Sequence, residues 1–288
     1  MSTSPAQQLR ARLSEPGIVV APGVYDGLSA RIAALAGFEA VYVSGGAIAR
    51  SSGVPDLGLL TMTEVLNRVR EVVDAVNVPV IADADTGYGN ALNVRRTVRE
   101  FDRLGVAALH LEDQVTPKRC GHYDNKQLIS VGEMVGKVRA AVDARGDSDL
   151  LLIVRTDAIA VEGLDAAIAR ARAYIDAGAE VMFIEAPTSV EEIERVAREL
   201  DVPLLINMFA GGKTPLLNAA DLERLGFKIM IAPSDLQRAA IRAMQQTAEA
   251  LRKHGSTEVL ADRLATFTER DEIVGLPSYR ELESRYAE

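Results

Sequence analysis

Short β-branched runs alternate with amphipathic helical stretches along nearly the whole chain, and this alternation constrains the fold more than any other feature. Strands read near 17–24, 40–44, 78–82, 107–112, 150–155, 181–185, 204–207 and 228–232. Helical periodicity falls between them, at 29–36, 63–75, 91–104, 131–144, 165–177, 190–200, 219–225 and 234–253. Such a pattern requires parallel strands joined by crossover helices. The punctuation agrees. Gly37, Gly105, Gly178 and Gly226 each follow a helical stretch and precede a strand, where a left-handed C-cap needs no Cβ. Pro79 and Pro203 open strands, where a missing N–H is tolerated.

Eight β/α units in 288 residues is the count of a closed (β/α)8 TIM barrel. An open doubly wound sheet is the rival, but its Gly-rich first βα turn is absent. The expected organisation is one domain over 1–288, with a barrel at about 15–253 and a C-terminal helical extension at about 254–288. Gly275-Leu276-Pro277 breaks that extension with a turn. An appendage beyond a finished barrel suits packing on a neighbouring subunit, so an oligomer is expected.

Composition narrows the partners. A net charge of −9 supplies no basic face for nucleic acid or an anionic membrane surface. No apolar run reaches the ~18 residues of a membrane span. The first residues lack a charged then apolar leader pattern, so no signal peptide is expected. The one cysteine, Cys120, can form no internal disulfide, which fits a reducing cytoplasm. A small molecule remains as the expected partner.

In parallel β/α folds chemistry sits at the C-terminal strand ends. Here those ends carry Ser44-Gly45-Gly46, Asp83-Ala84-Asp85, His110-Leu111-Glu112-Asp113, Arg155-Thr156-Asp157, Glu185 and Asn207. Asp83 and Asp85, two apart on an extended end, should point the same way as Glu112 on the next strand. Clustered carboxylates invite a hard divalent cation, Mg²⁺ or Mn²⁺ rather than zinc. Asp56 is either a further member or a plain turn aspartate. Ser44-Gly45-Gly46 offers backbone N–H groups to an anion, or simply a turn. Arg155 suits either a bidentate carboxylate clamp or an ion pair with a loop acid. In Lys118-Arg119-Cys120-Gly121-His122 a thiol stands among basic residues. That is either a thiol of lowered pKa fit for proton transfer or a solvated surface loop. His110, inside an apolar strand, reads as a packed core histidine, and His254 as a helix-end residue. Gly211-Gly212-Lys213-Thr214 lacks the earlier glycine of a phosphate-binding P-loop, since position 207 is Asn.

Taken together and in order, Ser44-Gly45-Gly46, Pro55-Asp56-Leu57-Gly58, Asp83 to Gly89, Leu111-Glu112-Asp113 and Lys118 to His122 resemble the isocitrate lyase/phosphoenolpyruvate mutase superfamily over nearly the whole chain. The last segment is similar to the signature of its lyase branch, the methylisocitrate and 2,3-dimethylmalate lyase type. The resemblance implies cleavage of a 2-hydroxy di- or tricarboxylate into a 2-oxo acid, pyruvate or glyoxylate, and a carboxylic acid. It implies Mg²⁺ as cofactor, with Mn²⁺ the alternative. Asp83 would be the direct ligand, and Asp85, Glu112 and Asp56 would hold metal-bound waters. Ser44, Gly45, Gly46 and Arg155 would grip the 2-oxo-acid carboxylate, and Glu185 and Asn207 would line the site. Cys120 would donate the proton, assisted by Lys118 and His122, while Arg238 and Arg270 would bind a further carboxylate. A homotetramer with exchanged C-terminal helices is also implied. Where tricarboxylate-cleaving members place a small hydroxyl residue this chain has Phe209, which points to smaller dicarboxylates. Other members imply an oxaloacetate decarboxylase or hydrolase as the alternative. A phosphonate-forming mutase is disfavoured by the Cys120 loop.

Overall fold

A computed structural model describes residues 3–123 and 125–287; residues 1, 2, 124 and 288 of the expected span lie outside the described residues. Eight parallel strands close in sequential order into a barrel. They are β1 (Val19–Val24), β2 (Val41–Val43), β3 (Val80–Asp83), β4 (Ala108–Glu112), β5 (Leu151–Thr156), β6 (Val181–Ile184), β7 (Leu204–Asn207) and β8 (Ile229–Ala232). Around them run α2 (Gly27–Leu35), α4 (Met62–Ala75), α5 (Ala91–Leu104), α6 (Val131–Arg145), α8 (Leu164–Asp176), α9 (Val190–Glu199), α10 (Ala219–Arg224) and α11 (Asp235–His254). Gly37, Gly105, Gly178 and Gly226 all carry the expected positive φ.

Three helices were not legible in the sequence. α1 (Pro5–Ser14) begins at a Ser4 capping box and sends Leu9 and Leu13 to the lumen cluster. α3 (Gly45–Ser51) and α7 (Ile159–Glu162) are too short for a hydrophobic period to register. The extension is a 3-10 segment (Glu258–Arg263), then α12 (Phe267–Ile273) and α13 (Leu276–Tyr286), with Gly275 in the left-handed region between the last two. Among the described residues no helix is long and apolar enough to cross a membrane.

The period of two along each strand positions the site. Val19, Ala21, Tyr42, Ile81, Ala108, Leu151, Ile153, Phe183, Leu205, Ile229 and Ile231 fill the lumen. Their strand neighbours of opposite parity, such as Val80, Ala82, Leu109, Leu152, Met182 and Ile206, pack under the helices. Continuing the inward set by one step brings Asp83, His110 and Glu112, Arg155, Glu185 and Asn207 to the mouth. The register places Asp83 beside His110 and Glu112 beside Arg155.

Beneath the mouth, Asp113 ties three elements together. It is fully buried and accepts from Thr156 Oγ1 at 2.7 Å, Asp157 N at 3.0 Å, Tyr174 OH at 2.9 Å and Arg170 Nη1 at 3.4 Å. Removing the carboxylate takes the acceptor from Thr156, Asp157 N and Tyr174 in a dry interior, and leaves Arg170 with Ile129 O and Glu162. Asp113→Ala should therefore lower unfolding stability by about 3 kcal/mol or more, measurable by urea denaturation.

Candidate active site

The C-terminal strand ends enclose a cavity of about 280 Å³, small even for a metabolite pocket. Its walls include Ser44, Gly46, Asp56, Asp83, Lys118, Cys120, His122, Arg155, Glu185, Asn207, Phe209 and Arg238. Of the residues singled out in the sequence, only Arg270 stands clearly apart. It lies on α12, exposed, paired with Asp271 and stacked on Phe267 at 4.0 Å.

At the end of β2 the chain turns directly into α3. Ser44 caps it, accepting from Ala47 N at 3.3 Å, and Gly45 N donates to Asp83 Oδ2 at 3.2 Å. A Cβ on Gly45 would lie 2.9 Å from Asp83 Oδ2, and one on Gly46 would lie 2.6 Å from Asp56 Oδ2. Glycine at both positions is thus a matter of close approach by carboxylates, here Asp83 and Asp56 of the protein itself.

The acidic residues divide into two groups. Lys118 Nζ lies 2.6 Å from Asp56 and 3.0 Å from Asp85, so these two share a buried ammonium. Burial alone would lower the Lys118 pKa, but the surrounding carboxylates hold it well above its ordinary value. Asp56 is therefore a partner of Lys118 rather than a plain turn residue. Asp85 reaches the mouth by a different route from the one expected: its φ of 49° takes it out of the strand, and its N–H donates to Asp83 Oδ1 at 3.0 Å. Burial raises its carboxyl pKa.

Asp83 and Glu112 form the second group, joined by His110. His110 Nδ1 is 3.2 Å from Asp83 Oδ1 and 3.4 Å from the Tyr42 hydroxyl. His110 is buried as expected, but its polar partners make it part of the mouth. Burial would raise the Asp83 pKa; His110 and Lys118 bring it far below the ordinary carboxylate range. Burial raises the Glu112 pKa well above its usual value, although Arg155 Nη1 stands 3.3 Å away. Ligand atoms of Asp83, His110 and Glu112 lie within 4.8 Å of one another. Glu112 Oε1 and His110 Nε2 are buried without a hydrogen-bond partner among the described residues. Converging carboxylates with an unused buried oxygen fit a hard divalent cation.

Of the two readings the sequence left open for Arg155, the structure shows the ion pair. Arg155 lines the cavity and is held by Asp157 (2.9 Å), Glu185 (3.2 Å) and Glu112 (3.3 Å). Three fixed anions orient its fork at the cavity wall.

The loop after β4 folds over this mouth. Gln114 anchors its start, with Nε2 donating to Arg119 O and Oε1 accepting from Arg119 N, both at 2.9 Å. A Cβ on Gly121 would sit 2.2 Å from Arg155 Nη2, so only glycine lets the loop come down this far. Burial pushes the His122 pKa down, against the pull of Glu185. Its Nδ1 accepts from Lys213 N at 3.3 Å, and its Nε2 faces Asn207 Nδ2 at 3.3 Å and Glu185 Oε1 at 3.8 Å. Phe209 stacks on His122 at 5.0 Å between centroids, and Arg238 covers Phe209 at 5.1 Å.

One expectation is reversed. Basic neighbours were expected to lower the Cys120 pKa. Instead burial raises it, and the charge of Asp56 adds to the rise. The flanking lysine cannot help, because its ammonium is committed to Asp56 and Asp85. Lys126 escaped the sequence reading, and Asp157 was named there only as part of the fifth strand end, with no role. Lys126 Nζ, fully buried, meets Asp157 Oδ1 at 2.7 Å.

Comparison with known proteins places this geometry. The family model described as phosphoenolpyruvate phosphomutase matches residues 9–252. A 2,3-dimethylmalate lyase from Eubacterium barkeri is 46% identical over 98% of both chains. A 2-methylisocitrate lyase from Aeropyrum pernix is 45% identical over 99% of this chain and 91% of its own. Among solved structures, a 2,3-dimethylmalate lyase superposes with a TM-score of 0.94 at 40% identity, covering 99% of this chain and 96% of the other. An oxaloacetate acetylhydrolase bound to 3,3-difluorooxalacetate does so at 0.94 and 37%, covering 99% and 97%. A phosphonopyruvate hydrolase complexed with oxalate and Mg²⁺ does so at 0.91 and 32%, covering 99% and 100%.

The raised pKa of Cys120 has a direct readout. A thiol held above its ordinary value carries less thiolate at neutral pH. Iodoacetamide should therefore modify Cys120 more slowly than a free thiol at pH 7.5, with a rate that keeps climbing beyond the usual thiol pKa of about 8.5.

Proposed function

The chain belongs to the phosphoenolpyruvate mutase/isocitrate lyase superfamily, and from that premise we propose that it is a divalent-metal-dependent carbon–carbon lyase acting on a small 2-hydroxy dicarboxylate of the 2,3-dimethylmalate kind. The observation that carries the reading is Cys120: a single half-buried thiol whose pKa is raised, in the wall of a cavity that also holds Arg155 and the acidic cluster. A thiol poised as an acid is what the departing half of such a substrate needs.

Arg155, with the backbone at Ser44-Gly45-Gly46, binds the carboxylate of the nascent 2-oxo acid. The substrate hydroxyl gives up its proton to the carboxylates of the mouth. The bond between the hydroxyl-bearing carbon and its neighbour breaks, and its electron pair passes into the second carboxylate as an enediolate. Cys120 Sγ then gives its proton to the enediolate carbon, yielding a carboxylic acid beside the 2-oxo acid. Mg²⁺, or Mn²⁺, held by Asp83 with Asp85, Glu112 and Asp56 around it, would supply positive charge to the developing 2-oxo acid. Lys118 and His122 keep the loop in place, and Glu185 with Asn207 holds His122 and Arg155. Phe209 fills the space a further carboxylate would need, which favours dicarboxylates over methylisocitrate.

The 37% identical oxaloacetate acetylhydrolase motivates a second reading, hydrolysis of oxaloacetate on the same scaffold. A panel of 2,3-dimethylmalate, 2-methylisocitrate, isocitrate and oxaloacetate, assayed for 2-oxo acid release, separates the readings. Under the lyase reading Cys120→Ser lowers kcat by about 100- to 10,000-fold with KM little changed. A mutant of wild-type kcat sinks it. EDTA should abolish turnover and Mg²⁺ should restore it.

Arg270 contributes to a site only if α12 reaches another subunit. The extension exposes Val259, Phe267, Tyr279 and Tyr286, each more than half accessible. Such apolar exposure supports a homotetramer with exchanged C-terminal helices. Analytical ultracentrifugation should give four 31.0 kDa chains, and a chain ending at His254 should be smaller.

A further inference from the structure

We propose that Lys126 is a positioning residue that seats the Cys120 loop by tying it to the substrate-gripping arginine. Its kinetic consequence rests on the lyase reading; its geometry does not. Lys126 lies just past the loop tip, and its side chain is wholly enclosed. Its Nζ donates to Gly121 O at 2.5 Å and to Asp157 Oδ1 at 2.7 Å. Asp157 accepts from Arg155 Nε and Nη2, both at 2.9 Å. The backbone next to the proton donor is thus linked through one ammonium and one carboxylate to the guanidinium beneath it.

Stability alone does not call for a lysine here. Enclosing an ammonium carries a desolvation penalty that an apolar side chain of similar size would avoid. Asp157 is already satisfied without it, by the fork of Arg155 and, at its own N–H, by Asp113. What Lys126 adds is a grip on Gly121, the residue whose bare α-carbon fits against Arg155. Cys120 faces the cavity only while Gly121 stays there. The other anchors are Lys118 on Asp56 and Asp85, Gln114 at Arg119 and Lys213 N at His122; Gln114 grips the residue before the thiol, and Lys126 grips the residue after it, the one that lies against Arg155.

Removing the bridge should therefore displace the thiol while leaving Arg155 oriented by Asp157. Lys126→Met keeps the length and removes the donor. In the full-length enzyme it should lower kcat by about 100-fold with KM within about threefold of wild type, the penalty of moving a catalytic group by an ångström or so. Iodoacetamide should modify Cys120 several-fold faster in the variant, because the thiol is no longer enclosed. In a Cys120→Ser background the same change should cost little more, since Lys126 acts through the thiol. Lys126→Gln, which retains a donor within reach of Gly121, guards against misfolding of the methionine variant and should shift both readouts in the same direction by less. A folded variant with wild-type kcat and an unchanged alkylation rate overturns the proposal. So does a loss of kcat that is fully additive with Cys120→Ser. Alkylation needs no substrate, so it tests loop seating even if the substrate panel contradicts the lyase reading.

Discussion

The structure depends on one constraint: among the described residues, six carboxylates and three cations are drawn together at the barrel mouth, and none can be left without a partner. Isolated charges in a dry interior are too expensive to keep. Lys118 therefore lies between Asp56 and Asp85, Arg155 among Glu112, Asp157 and Glu185, and Lys126 against Asp157. The loop bearing Cys120 supplies two of these cations. Its closed position is set by the need to compensate charge rather than by apolar contact. Asp83 and Glu112, the least fully compensated, are where a divalent cation fits.

The same arrangement explains the chemistry the site is suited to. Arg155 arrives preorganised by fixed anions, so a substrate carboxylate meets a guanidinium already oriented. The thiol above it is half-buried and near the charge of Asp56, which together raise its pKa. A nucleophile or base would need the opposite environment. The raised thiol pKa suits the proposed role of proton donor better than that of a reactive thiolate.

Much of this was legible in the sequence. Strand–helix alternation implies a barrel, and the period of two then dictates which side chains reach the mouth, so Asp83, Glu112, Arg155, Glu185 and Asn207 could all be named. What stayed hidden follows from contacts that no local pattern encodes. Lys118 and Asp56 meet across 62 positions, and Lys126 and Asp157 across 31. The sign of the Cys120 shift failed because flanking charges were read as free when the lysine is already paired. Asp85 reached its place through a left-handed backbone rather than an extended one. His110 was correctly read as buried, but its contact with Asp83 depends on strand register, which the sequence does not display. Arg270, expected at the site, lies on exposed α12 beside Asp271 and Phe267.

The central claim is that Cys120, held protonated over the cavity, delivers its proton to one face of the departing carbon. Turnover in D2O, with the carboxylic acid product analysed by NMR, tests it most directly. The account predicts a single deuterium at the former bonding carbon, in one configuration. A racemic label would mean that bulk water supplies the proton, and would contradict it.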